Sequence, residues 1–111
     1  MVPRHLLQGI DIFSDLSPTE IEDISRLTAW TRYPRKRQIM AEGDPTTDVF
    51  FVVEGRIEAK SFSPHGKEVT YIDVPQGGVF GEFSAIDGEP RSATIVAIEP
   101  SLIGRMTAEN F

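Results

Sequence analysis

The chain contains no cysteine. That excludes a disulfide framework, a thiol nucleophile and cysteine-ligated zinc. Histidine is nearly absent as well: His5 and His65 lie far apart in the sequence. Two isolated imidazoles supply neither a metal-ligand cluster nor a base placed to activate a serine, so no metal site and no catalytic residue is expected. Positive charge is also short, with 11 Lys and Arg against 17 Asp and Glu, a formal net charge of −6. Direct contact with nucleic acid asks for the opposite balance. Long apolar runs are missing too. The longest is Val49 to Val53, far short of a membrane span. Met1-Val2-Pro3-Arg4 leads into a mixed polar segment and not into a signal-peptide core. These absences predict a soluble, cytoplasmic protein with no membrane insertion and no nucleic-acid grip of its own.

What is present is the composition of one folded domain, 40% hydrophobic and 25% charged over 111 residues. No internal repeat, low-complexity segment or linker interrupts it. An N-terminal helical piece is expected over residues 1–29. Pro3 to Gly9 reads as a short helix with proline in its first turn, and Ile10, Ile12 and Phe13 follow as an apolar anchor. A second helix carries clearer signals. Ser17 is an N-cap, Pro18 takes the first helical position, Glu20 completes a capping box, and Leu16 and Ile21 form a hydrophobic staple. Ile21, Ile24 and Leu27 continue an apolar stripe toward Trp30, with Glu22, Asp23 and Arg26 on the wet side.

From Trp30 the period falls to two and turn signals recur. Glu42-Gly43-Asp44-Pro45, Glu54-Gly55, Ser63-Pro64-His65-Gly66 and Glu99-Pro100 punctuate strands at Val49–Val53, Ile57–Ser61, Glu68–Val74, Thr94–Ile98 and Leu102–Met106. The fold class is mainly β, with about eight strands over residues 30–106 that read as an all-β barrel or jelly roll. Thr107 to Phe111 reads as the N-cap and first turn of another helix. The basic run Arg32 to Arg37 is expected to be a solvated turn in a chain of net negative charge.

The chemistry concentrates in residues 80–94. Glycines at 77, 78 and 81 open the stretch, Glu82 to Ile86 can make one short turn of helix, Asp87-Gly88 and Pro90 turn the chain, and Arg91 arrives just before a strand. A helix start offers unpaired N–H groups to an anion. Gly81 permits close approach to the backbone, and Arg91 is a planar fork suited to phosphate. Glu82 is the wrong charge for an anion but suits a sugar hydroxyl. A glycine-rich turn with Glu82 and Arg91 as a surface ion pair explains each residue singly but not the ordered set.

Phe80-Gly81-Glu82-Phe83-Ser84-Ala85-Ile86 followed by Arg91-Ser92-Ala93-Thr94 resembles the phosphate-binding cassette of cyclic-nucleotide-binding domains. The resemblance extends to Tyr33-Pro34, Ile39, Glu42-Gly43-Asp44 and Phe50 to Gly55, and so covers about residues 10 to 111. It implies a jelly roll with flanking N-terminal helices, a short cassette helix, and a sensor without chemistry of its own. Arg91 would take the cyclic phosphate and Glu82 the ribose 2′-hydroxyl. Gly81, Ser84 and Ala85 would present backbone N–H groups to the phosphate, with Phe83 between them and Ser92-Ala93 completing the site. The Ser84 hydroxyl is either a further donor or a solvent-facing group. Ser92 can reach phosphate or purine, and a serine there leans toward cAMP over cGMP. Lys36 stands where the family commonly has glycine. The resemblance implies a ligand, cAMP or cGMP, and no cofactor. A long C-terminal helix, the family's usual lid and homodimer contact, is not in this sequence, and neither is an effector such as a DNA-binding module, kinase, channel or cyclase. The alternative is a ligand-independent interaction module on the same fold.

Overall fold

A computed structural model of the chain describes residues 9, 10, 13, 15–62 and 69–110. The expected helix at 3–9 (save Gly9), the turn at 63–66 and both histidines lie outside the described residues. Helix α1 (Pro18–Arg26) begins as its sequence dictates. The Ser17 hydroxyl accepts from the Glu20 N–H at 3.2 Å, and the Glu20 carboxylate accepts from the Ser17 N–H at 3.0 Å. The Ser17 N–H first, and the Ser17 hydroxyl after it, hold the Glu20 carboxyl below its ordinary pKa. Arg26 pairs with Glu22 and Asp23 on the exposed face. Leu27 departs from the expected stripe. It caps the helix and is 50% exposed, because the chain leaves the 3.6 period there to enter a strand.

Eight strands follow among the described residues: β1 (Ala29–Tyr33), β2 (Gln38–Met40), β3 (Val49–Glu54), β4 (Arg56–Phe62), β5 (Val69–Pro75), β6 (Val79–Phe80), β7 (Thr94–Ala97) and β8 (Ser101–Met106). They form two four-stranded antiparallel sheets, ordered β1-β8-β3-β6 and β2-β7-β4-β5. This is the mainly β jelly roll that the spacing of turn signals predicts. The basic turn between β1 and β2 is stapled to β7 by Lys36 N–H to Ala97 O at 2.7 Å and Ala97 N–H to Arg37 O at 3.0 Å. Lys36 sits at φ +72°, a conformation that favours glycine. The expected helical turn after β8 is a short 3-10 turn at Ala108–Asn110.

Strand β3 explains why the uninterrupted run Val49–Val53 carries no alternation. Side chains on a strand alternate between faces, and here both faces are dry. Val49, Phe51 and Val53 pack toward the helical side with Ile10, Phe13 and Ile21. Phe50 and Val52 point between the sheets with Met40, Ile57, Ile95 and Ile103. The chain thus builds two cores on one strand. The helical piece is seated on the outer face of the β1-β8-β3-β6 sheet.

Candidate functional site

Between β6 and β7 the chain forms helix α2 (Glu82–Asp87), bounded by two left-handed glycines. Gly81 precedes it at φ +82°, and Gly88 closes it at φ +71° with its N–H on Ser84 O at 3.0 Å. The Asp87 carboxylate accepts from the Glu89 N–H at 2.9 Å and fixes the turn. That turn brings the backbone of Arg91 against the loop between β2 and β3. Arg91 N–H donates to Asp44 O at 2.9 Å, and Gly43 N–H donates to Arg91 O at 2.8 Å.

The Arg91 side chain is buried, with the residue only 3% exposed. Its guanidinium donates from Nε to the Thr46 hydroxyl at 3.0 Å, from Nη1 to Gly81 O at 2.9 Å and from Nη2 to Asp48 O at 2.8 Å. Its carbon lies 5.6 Å from the Phe50 ring centre, and that ring stacks on Phe80 at 5.0 Å. Burial pulls the Arg91 pKa down, and Asp48 and Asp44 oppose that pull. A guanidinium remains cationic throughout the physiological range. The surface ion pair with Glu82 is not formed: Arg91 is buried, and its hydrogen bonds run to Thr46, Gly81 and Asp48. Gly81 lines two clefts and is itself closely approached from within the fold. The groups close to it are Arg91 Nη1 and Asp48 O, each about 3 Å from where a Cβ would sit.

Two adjoining clefts open here. A recess of about 50 Å³ is lined by Gly81, Ser84, Arg91 and Ser92 over a floor of Met40 and Ile95. A larger cleft of about 200 Å³ continues from it past Glu82 to Ala59, Ser61, Ile72 and Val74. Gly81, Ser92, Ala93 and Ile95 line both. Glu82 Oε2 is buried and has no hydrogen-bond partner among the described residues. A buried acceptor without a donor is costly, and native structures carry few of them. The site therefore has a cation at the smaller cleft and an unsatisfied acceptor at the larger one adjoining it, whose far wall is largely apolar.

Of the anticipated site residues, Gly81, Glu82, Ser84, Arg91, Ser92 and Ala93 line one or both of these clefts. Ser84 is buried, not solvent-facing. Ala85 is anticipated for its backbone N–H, and its side chain packs against the helical-side core that holds Ile21 and Val49. The Phe83 side chain lies outside the described residues. Thr46, the Asp48 carbonyl and the Phe50 ring join the site without a signal in the sequence. Only Asp44 and Gly43 mark their loop, and they mark it as a turn.

The family model of the cyclic nucleotide-binding domain matches residues 30–111. The chain belongs to that family. This cyclic nucleotide-binding domain is 33% identical over 92 residues to a cyclic nucleotide-gated potassium channel of Mesorhizobium japonicum, covering 83% of the chain and 24% of the channel. It is 32% identical over 105 residues to a cAMP-dependent protein kinase regulatory subunit of Aspergillus niger, covering 95% of the chain and 25% of the subunit. Among solved structures, Thermus thermophilus catabolite activator protein superposes with a TM-score of 0.81 at 25% identity, over 89% of this chain and 46% of that one. The chain thus spans a quarter to a half of these relatives. No helix among the described residues is long and apolar enough to cross a membrane.

Proposed function

We propose that this domain is a cAMP sensor that passes the binding event to an effector outside the domain itself. The observation that carries the proposal is the orphaned Glu82 Oε2 at the cleft that adjoins the recess lined by the buried fork of Arg91. A cyclic nucleotide satisfies both at once. Its anionic phosphate seats in the recess beside Arg91 and Ser84, and its ribose 2′-hydroxyl donates to Glu82. The purine then lies along Ala59, Ile72 and Val74, where apolar walls suit a flat ring. The Ser92 hydroxyl favours adenine, in line with the kinase subunit relative, which is named for cAMP.

The domain binds and does no chemistry of its own. Binding draws α2 toward the barrel, and Ala85 carries that motion into the core shared with α1. A ligand shifts such an equilibrium only by its differential affinity for the two states. A cytoplasmic setting and a homodimer formed through segments beyond this domain fit the same role. The test is a calorimetric titration with cAMP, cGMP and 2′-deoxy-cAMP. Saturable cAMP binding that the deoxy analogue loses by about tenfold or more supports the assignment. Equal affinity for the deoxy analogue removes Glu82 from it. Absence of binding to all three favours the ligand-independent interaction module.

A further inference from the structure

An arginine carries five N–H donors, one on Nε and two on each Nη. Three are engaged: Nε on Thr46, one of Nη1 on Gly81 and one of Nη2 on Asp48. Two remain, one on each terminal nitrogen. Both belong to the terminal nitrogens, from which an arginine makes charge-assisted bonds to phosphate oxygens. Nη1 and Nη2 are anchored by main-chain carbonyls, which any residue supplies. The Nε anchor is different, because it depends on a side-chain hydroxyl.

We propose that Thr46 is a positioning residue for this phosphate site: its hydroxyl fixes the rotation of the Arg91 fork, so that the two terminal N–H groups face the recess. The inference rests on the reading of the site as a cAMP pocket. Thr46 reaches Arg91 from 45 residues away in sequence, on a loop held by Asp44, whose carboxylate accepts from the Ala41 N–H at 3.0 Å. The loop end is held as well, by Arg105 Nε and the Asp48 carboxylate at 3.6 Å. The Thr46 hydroxyl is thus presented by a braced backbone. Without it the buried Nε–H has no acceptor, and a buried charged donor seeks another. The fork turns toward whichever acceptor it finds, and the paired terminal donors leave the recess.

Thr46→Val keeps the shape and removes the acceptor, whereas Thr46→Ser keeps the acceptor. Each variant and the parent chain are titrated with cAMP and with its Sp and Rp phosphorothioates, in which sulfur replaces one or the other exocyclic oxygen. Thermal melts accompany each titration. Thr46→Val is expected to weaken cAMP binding about tenfold and to change the ratio of Sp to Rp affinity severalfold. Thr46→Ser is expected to retain both the affinity and the ratio. A Thr46→Val chain that binds cAMP as the parent does overturns the inference. So does a loss that is equal for both phosphorothioates, since general loosening spares neither. A parent chain that does not bind cAMP overturns the site reading itself, and the role of Thr46 falls with it.

Discussion

Replacing Gly81 by alanine puts a methyl group where three atoms already converge. An ideal Cβ there lies 2.8 Å from Arg91 Nη1, 3.0 Å from Asp48 O and 3.3 Å from Phe50 Cδ2. The backbone is at φ +82°, where an L side chain costs about 1–2 kcal/mol. Reduced entropy of the unfolded chain returns about 0.4–1 kcal/mol of that. Sterics add more, because Asp48 O is main chain and itself holds Nη2. Moving either group breaks a buried hydrogen bond to a charged donor, about 1.5–3 kcal/mol. The net expectation is a loss of about 2–4 kcal/mol. Gly88→Ala is the matched control. Gly88 also has positive φ, at +71°, but no atom lies within 4 Å of its Cβ position, so only the conformational part applies, about 1 kcal/mol or less. Urea denaturation of both variants reads the difference, expected at about 2 kcal/mol. Equal destabilisation would show that Arg91 and Asp48 do not crowd Gly81 as described.

Three further outcomes follow from particular residues. Glu82→Ala removes a buried acceptor that has no partner among the described residues. The variant is expected to be as stable as the parent or about 1 kcal/mol more so, and a clear loss in a urea melt would mean that Glu82 is satisfied within the fold. Lys36→Gly relieves the positive φ at the β1–β2 turn and is expected to raise stability by about 0.5–1 kcal/mol. An unchanged or lower midpoint would refute that strain. The Glu20 carboxyl is held below its ordinary value of 4.5 by Ser17, so its contribution is full above that pH and fades as pH falls through the lowered value. Melts of the parent and Glu20→Gln between about pH 7 and pH 3 should therefore converge at the acid end. A constant gap contradicts the capping role of the charge.

The parts of this domain legible in its sequence are those fixed by local rules. Ser17, Pro18 and Glu20 specify a helix start within four residues, and the structure realises each bond. Val49–Val53 announces a buried strand, since no solvent-facing position interrupts it. Gly81, Glu82 and Arg91 can be picked out because a backbone conformation, an acid and a fork are each demanding and occur in a fixed order. Leu27 escapes, because a helical stripe does not reveal where the helix will stop. Thr46 and Asp48 escape for a deeper reason. Their role depends on a side chain more than 40 positions away, and a carbonyl acceptor leaves no trace in residue identity. The motif puts the backbone N–H of Ala85 at the site and says nothing of its side chain, which serves the opposite core. Position in a short helix decides which face a residue presents, and the motif alone does not state it.

The central claim is that a cyclic nucleotide binds across the two adjoining clefts lined by Arg91 and Glu82. Its most direct test is a calorimetric titration of cAMP into the parent chain and into Arg91→Ala. Removing one partner of a desolvated charge pair costs at least about 2 kcal/mol. The parent is therefore expected to bind saturably, and the variant at least about thirtyfold more weakly. Arg91→Ala binding cAMP with the affinity of the parent would contradict the claim.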